Sequence, residues 1–332
     1  MGVSNVVMDE GDGSFRHAAV ITGSDDELVA ALMPELRRSA DAYDEVLMVV
    51  GERLRGLLTT ADGDLAGALR WGDHTAFYQR LGFAYEGFRR YLAEQHDAGR
   101  RVHVVAEPDL TAGAVPDRSV AYLAYEAACN DVYAPYACPV TCIWDSRHHA
   151  QSVIDGARAA HGHLMTPEGV RPSPQYLAPE RFLSARRDPP LPAPPGAIDH
   201  DVVLHEVEDL GPLRSLLCGW VAAHGFAPAA AEDVVVAVME IVTNGLRHGR
   251  PPVRVRAWHE AATLIVQCDD AGGRRIPPGA GFHRPRLSGA TPGGRGLWLA
   301  RQLADVVMIE SAAGRTTVRL SFPYEPLHRA EN

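Results

Sequence analysis

Glu240-Ile-Val-Thr-Asn244-Gly-Leu-Arg-His248 decides how this chain of 332 residues is read. Its carboxylate, carboxamide and imidazole recur at i, i+4 and i+8, one side of an α-helix. Upstream, Ala230–Val238 is an Ala/Val-rich run, entered through Pro228 and broken only by Glu232 and Asp233. Gly249 and Pro251 follow His248, so helix start and stop signals bracket the segment. Such a helix should be mostly buried, yet Glu240 and Asn244 stand one turn apart where apolar residues would cost less. Taken alone, the pattern fits either a ligand site or a polar cap at the end of a core helix.

Downstream, Thr263–Asp270 reads as a strand running into Asp270-Ala-Gly272-Gly273. Period-2 alternation puts Leu264, Val266, Cys268 and Asp270 on one face, and Asp269 on the other with Ile265 and Gln267. An inward acid followed by Gly-Gly suggests a buried hydrogen-bond acceptor beside a backbone that comes close to a ligand. Thr291-Pro-Gly293-Gly294-Arg295-Gly296-Leu297 then opens a largely apolar helix through Ala304. Glycines leading into a helix N-terminus offer N–H donors and a favourable dipole to a phosphate. A strand at Thr317–Phe322 closes the series.

In this order the elements resemble the GHKL ATPases, and within them the stand-alone anti-sigma-factor type of serine kinase. The resemblance covers roughly residues 198–324. Glu240, Asn244 and His248 match the N-box, Asp270 and Gly272 the adenine-binding Asp-x-Gly, and Gly294 and Gly296 the second glycine box. The resemblance implies a two-layer α+β (Bergerat) sandwich, a mixed sheet covered on one face by helices. It also implies that Asn244 holds Mg²⁺ against ATP, that Asp270 accepts from the adenine amino group, and that Glu240 is the general base. Arg295, Leu297 and Thr317 join the nucleotide-binding set, and the segment between the glycine boxes is the ATP lid. One departure stands out: Arg274 occupies the place of the last glycine in Asp-x-Gly-x-Gly. Arg274, Arg275, Arg284 and Arg286, in or beside a short lid, serve either to neutralise phosphate charge or as a solvated basic loop.

A histidine kinase needs a phosphoacceptor histidine on a helical hairpin ahead of the ATPase fold. The candidate, His205, falls in the strand-like Val202–Val207, and one strand and two helices already fill the span to Asn244, so no hairpin fits. The phosphoryl acceptor is expected to be Ser or Thr of another protein, with positioning and Mg²⁺ charge neutralisation assisting transfer. The partner is expected to be a sigma factor or its antagonist. Two alternatives stay open: an ATP-gated module that sequesters a partner without kinase activity, and a histidine kinase acting on a separate phosphoacceptor protein.

Composition agrees with two soluble domains. Hydrophobic residues make up 46% and charged residues 22%, ordinary for a globular protein. A formal net charge of −10 argues against direct nucleic-acid binding. No apolar run reaches membrane-spanning length, and Met1–Ser14 has no apolar core of a signal peptide. Five cysteines suit a reducing cytoplasm. Arg186–Gly196 holds five prolines within seven residues and reads as a semi-rigid linker. The expected organisation is therefore 15–183, a linker at 184–197, and 198–324, with a homodimer as the expected assembly.

Ahead of the linker, strands alternate with helices. Ala18–Thr22 precedes a helix opened by Ser24-Asp-Asp-Glu27, a capping-box signature. Glu45–Val50, Ala66–Trp71 and Arg101–Ala106 read as strands, with a long helix over Thr75–His96. A helix at Ser119–Asp131, a strand at Cys138–Trp144 and a helix at His148–His161 follow. This rhythm predicts an α/β domain with an open, mostly parallel sheet and helices on both faces. Ligands of such sheets bind outside the carboxyl ends of the strands, where Glu107 and Asp145 fall, while Glu126 and Asn130 lie i, i+4 on the intervening helix.

Those features (Glu107-Pro108, Glu126 with Asn130, and Trp144-Asp145) make residues 15–165 similar to the MEDS sensory domain, a RecA-like module. The similarity implies a small-molecule pocket formed by Glu107, Glu126, Asn130 and Asp145; a purely structural or dimerising role is the alternative. There is no Walker A sequence, so no P-loop ATPase is expected in this half. Gly51-Glu52-Arg53 reads only as a strand-to-helix turn. Cys129, Cys138 and Cys142 near several histidines invite a zinc reading. But Cys138 and Cys142 lie i, i+4 along one strand, too far apart for a tight Cys-x₂₋₄-Cys site, which favours core cysteines.

Overall fold

The computed structural model describes residues 15–110, 118–186, 190–273, 276–285, 294–312 and 314–323. Met1–Ser14, Arg274, Arg275, Arg286 and Thr291–Gly293, all singled out above, lie outside the described residues.

The N-terminal half runs β1 (Arg16–Thr22), α1 (Asp25–Ala42), β2 (Glu45–Val49), α2 (Glu52–Ala61), α3 (Gly63–Ala68), β3 (Arg70–Trp71), α4 (His74–Phe77) and α5 (Leu81–Asp97). It continues with β4 (Val102–Ala106), α6 (Arg118–Val132), β5 (Pro139–Asp145), α7 (Gln151–Ala160), β6 (His163–Thr166), β7 (Gly169–Pro172) and α8 (Pro179–Ala185). Seven strands form one sheet in the order β3-β2-β4-β5-β1-β6-β7. Every pairing is parallel except β6 with β7. Separate apolar clusters fill its two sides, one around Tyr85, Val104 and Trp144 and one around Leu32, Met48 and Ile143. Strands buried on both faces are what a parallel α/β sheet requires.

Local chemistry sets the boundaries. The Ser24 hydroxyl caps α1 by accepting from the Glu27 N–H at 3.2 Å, and the Glu27 carboxylate reaches back to the Gly23 N–H at 2.9 Å. The strand expected over Ala66–Trp71 shrinks to Arg70–Trp71, because Asp62 accepts from the Leu65 N–H and starts a helical turn there. Likewise the helix expected over Thr75–His96 is two. Asp73 caps the short α4, and the chain returns to extended geometry at Arg80 before α5. The β6–β7 hairpin is an addition that the alternation of strands and helices did not foretell.

The C-terminal half comprises β8 (His200–Leu204), α9 (Leu210–Ala223), α10 (Pro228–His248), β9 (Val253–Glu260), β10 (Thr263–Asp270), α11 (Arg295–Leu303), β11 (Val306–Ala312) and β12 (Arg315–Pro323). Its sheet order is β11-β12-β10-β9-β8, with every pairing antiparallel. The expected mixed sheet is thus corrected. Turns too short for a crossover join β9 to β10 and β11 to β12, and such connections permit only antiparallel neighbours. The helices bury Leu217, Val234, Val238, Val242 and Ala300 against Val255, Val266 and Leu320. Beyond α8, Leu191 and Pro192 lie along this sheet: Glu310 accepts from the Leu191 N–H, and Arg319 donates to the Pro192 carbonyl.

The two halves share an apolar boundary. Phe282, Val306 and Met308 join the core cluster that contains Tyr122 and Tyr125 of α6. On α5, Gly82 packs so closely that a Cβ there would stand 1.9 Å from the Arg301 carbonyl oxygen. Arg118 and Asp305, each about 1% exposed in its side chain, pair across the boundary at 3.1 Å. Arg118 also donates to the carbonyls of Asp109 and Tyr78, both at 2.6 Å. Burial outweighs the guanidinium and pushes the Asp305 carboxyl up to about 6.

Candidate functional site

The 21 residues of α10 begin with Pro228 in the first turn and stop at Gly249, as the bracketing signals predicted. Val234, Val235, Ala237, Val238, Ile241 and Val242 are buried, whereas Glu240 and Asn244 are half-buried and His248 is exposed. Glu240 and Asn244 face α11. A Cβ on Gly296 would fall 2.6 Å from Glu240 Oε2 and 2.8 Å from Asn244 Nδ2. Any side chain there would push both of these groups aside, so Gly296 lets the start of α11 lie on them undisturbed. Gly294, at φ 96°, sits in the left-handed region that glycine tolerates and forms the N-cap of α11 without a capping side chain. The first N–H groups of α11 consequently open beside Glu240 and Asn244. Arg295 is exposed there, while Leu297 is buried in the core beneath.

Asp270 ends β10 beside the C-terminal end of α10, next to Gly245 and Gly249. Its Oδ1 accepts from the Gly272 N–H at 2.8 Å. Cβ atoms on Gly249 and Gly272 would come within 2.6 and 2.9 Å of that same oxygen. The site is thus assembled by glycines at each close approach: Gly296 over Glu240 and Asn244, and Gly249 and Gly272 around Asp270. Among the described residues, the side chains of Glu240 and Asn244 make no hydrogen bond.

Strand register corrects one expectation. Thr317 lies opposite Asp269, not Asp270, and its hydroxyl donates to Asp269 Oδ1 at 2.6 Å. Asp269 also accepts from Gln267 and Arg256, a polar network on the face away from the pocket. These partners, led by the Thr317 hydroxyl, hold the Asp269 carboxyl below its usual range against the opposing effect of burial. Thr316, buried, is the residue directly across from Asp270. Counting strand parity from Asp270 through its partner would have found it, but the register is a tertiary fact.

Comparison with known proteins places both halves. Residues 203–322 match the model of the histidine kinase-like ATPase domain, and residues 16–162 match that of the MEDS domain, described as the methanogen/methylotroph, DcmR sensory domain. The chain joins a MEDS domain to a histidine kinase-like ATPase domain. No curated protein matches it. A solved structure of the RsbU and RsbW domains of Rv1364c from Mycobacterium tuberculosis is 22% identical, with a TM-score of 0.28. That match covers 37% of this chain and 32% of the other, so the chain spans about a third of that structure's length. No helix among the described residues is long and apolar enough to cross a membrane.

Within the MEDS domain, the four residues expected to form one pocket divide into two places. Glu107 and Asp145 stand at strand ends, and Arg53 bridges them, 3.4 Å from Glu107 and 3.5 Å from Asp145. Glu107 also accepts from the Gly51 N–H at 2.9 Å. The Gly51-Glu52-Arg53 turn is therefore part of this polar rim. Arg147 adds to it, and its hydrogen bond lowers Asp145 to about 2.

Glu126 and Asn130 lie in the interior instead. Glu126 Oε2 is 3.0 Å from His17 Nε2 and 3.2 Å from His161 Nε2. Cys142 Sγ is 3.4 Å from His17 Nε2 and 3.5 Å from Glu126 Oε2. Burial and then the neighbouring His161 push His17 down to about 4. For Glu126 burial opposes ionisation, and its carboxyl falls below the usual range only where His161 and His17 present protonated Nε2 atoms to it. Cys138 remains an ordinary core thiol at the start of the strand, as the sequence suggested, whereas Cys142 does not. Its polar neighbours come from β1, α6 and the residue after α7, not from its own strand.

The ATPase domain meets the MEDS domain through the segment before α11. Phe282 sets its ring edge-on to Tyr125 of α6, centroids 5.0 Å apart, and carries the Arg301 guanidinium 4.1 Å above its face. Arg284 lies 3.7 Å from Glu86 of α5.

Proposed function

We propose that this chain binds Mg·ATP between α10, β10 and α11 and acts as an anti-sigma-factor-type regulator under the control of its MEDS domain. The observation that carries the reading is the convergence of Glu240 and Asn244 under Gly296 and of Asp270 beside Gly249 and Gly272. The residues fit the nucleotide. Gly296 leaves the start of α11 open, and no hydrogen bond among the described residues competes for Asn244. Asn244 would hold Mg²⁺, which supplies charge neutralisation to the phosphates. The N–H groups opened by Gly294 would receive a phosphate, with Arg295 at the rim and His248 at the end of α10. Asp270 would accept from the adenine amino group, with Gly272 and Thr316 beside it.

The carboxylate of Glu240 would take the proton from an incoming Ser or Thr hydroxyl of the partner, a sigma factor or its antagonist. Control would pass from α6 through Tyr125 and Phe282 into the lid segment. Arg274 in the first glycine box favours a second reading, an ATP-gated module that sequesters the partner without phosphorylating it. Phosphotransfer to co-purified partner should occur with the wild-type chain and drop at least 100-fold in Glu240→Ala, while calorimetry with Mg·ATP shows the two binding alike. Transfer by neither protein, with ATP binding intact, would leave the sequestering module. Failure of Mg·ATP to bind sinks both.

A further inference from the structure

The buried group at the centre of the MEDS domain carries more acceptors than donors. His161 Nδ1 lies 2.7 Å from the Ala157 carbonyl, so that nitrogen bears the hydrogen. Asn130 gives its amide hydrogens to the carbonyls of Glu126, Ala127 and Ala160, which fixes its oxygen toward His17 Nδ1 at 3.3 Å. The hydrogen of His17 is therefore on Nδ1 as well. Both Nε2 lone pairs then converge on one carboxylate oxygen, at 3.0 and 3.2 Å, with the Cys142 sulfur beside them. Glu126 Oε1 and His161 Nε2 have no hydrogen-bond partner, although all four side chains are buried. Converging lone pairs in a dry interior are strongly unfavourable unless a proton or a metal cation lies between them, and a single proton would still leave Glu126 Oε1 and one Nε2 unsatisfied.

We propose that His17, Glu126, Cys142 and His161 form a tetrahedral site for a divalent transition metal of the zinc class. Their donor atoms all lie within 4.8 Å of one another. Metal–nitrogen and metal–oxygen bonds of about 2.05 Å put tetrahedral neighbours about 3.3 Å apart, and a metal–sulfur bond of about 2.3 Å extends this to about 3.6 Å. The spacings of 3.0 and 3.2 Å between nitrogen and oxygen, and of 3.4 and 3.5 Å to sulfur, follow that pattern.

Charge also closes. A dication, the Glu126 carboxylate, the Cys142 thiolate and two neutral imidazoles sum to zero, the cheapest state for a buried site. Loading releases the Cys142 proton to solvent and forms the metal–sulfur bond. Each histidine has the outer partner that metal-bound imidazoles normally show, a carbonyl oxygen on Nδ1. The four donors come from β1, α6, β5 and the end of α7, so the ion would tie together elements far apart in sequence. With four protein ligands the shell is closed, as in structural sites. The neighbouring cavity, lined by Tyr85, Tyr122, Tyr125, Cys129 and Tyr133, is about 20 Å³, room for a water.

Asp199, His224 and His259 form a second, more exposed group on the ATPase domain and serve as the control. The full chain, stripped with chelator and kept reduced, is titrated with Co²⁺. One equivalent should give a thiolate-to-cobalt charge-transfer band together with tetrahedral ligand-field absorption. Cys142→Ser should lose the band yet keep the ligand-field absorption, and Asn130→Ala should bind about 10–100-fold more weakly. Asp199→Ala should change neither feature. Circular dichroism before the titration shows which variants are folded. The proposal is overturned if the folded wild-type chain develops no charge-transfer band with cobalt in excess, or if the band persists in Cys142→Ser.

Discussion

Two helices of this chain carry a glutamate followed four residues later by an asparagine, Glu126 and Asn130 on α6 and Glu240 and Asn244 on α10. In sequence the pairs are indistinguishable. On α6 the carboxylate faces two histidines and a thiol in the core, and the carboxamide is occupied by three carbonyls and an imidazole. On α10 the same two groups lie half-buried beneath a glycine and touch no hydrogen-bonding partner among the described residues. The difference teaches that i, i+4 spacing only puts two groups on one helix face. What that face meets, a filled interior or a backbone stripped of side chains, decides whether they build structure or stay available to a ligand.

Removing a partner from the structural helix should have the largest effect. Arg118→Met on α6 leaves Asp305 buried without its guanidinium, and chemical denaturation should show a loss of about 3–5 kcal/mol. A loss below about 1 kcal/mol would mean that the pair is dispensable to the boundary. Acid should also act through the N-terminal half. His103 is held neutral, lowered to about 4 by burial, between Ser39 and Thr141. From pH 6.5 down to about 4 the unfolded chain takes up a proton that the folded chain refuses, so stability falls as pH falls. Relative to wild type, His103→Gln should remove roughly 3 kcal/mol of that decline. Parallel denaturation curves across pH 7 to 4 would refute it.

The asparagines should then separate cleanly. Asn244→Ala should weaken Mg·ATP binding about 100-fold, roughly 2.7 kcal/mol, with little change in stability. Asn130→Ala should leave ATP affinity within about twofold and lower stability by about 1–3 kcal/mol, because His17 Nδ1 loses its acceptor. Calorimetry and denaturation on the same preparations would expose any crossover. The smallest effects belong to the two threonines. Thr317→Val should cost about 1 kcal/mol of stability through Asp269 and leave nucleotide affinity unchanged. Thr316→Val should instead weaken ATP severalfold without affecting stability comparably.

Elements with local signals were legible in the sequence. Pro228 and Gly249 bound α10, Ser24 and Glu27 start α1, and the alternation before the linker announced a parallel sheet. What depended on neighbours distant in the chain was not. Thr317 was placed by its strand rather than by its register partner, Asp269. Arg53 looked like part of a turn until the ends of β4 and β5 brought Glu107 and Asp145 to it. Cys142 was judged by the extension of its own strand, while its neighbours His17 and Glu126 are 125 and 16 residues away. Close backbone approaches hide in the same way. Gly296 stood in an evident glycine box, but nothing marked Gly82 as the point where α5 touches α11.

Gly82 also has a practical meaning. One added methyl group at residue 82 would wedge against the Arg301 carbonyl, the same oxygen that faces the Tyr125 hydroxyl of α6 at 3.5 Å. Alanine there would therefore act as a wedge at the seam where α5 meets α11, forcing the two halves apart at their closest backbone approach.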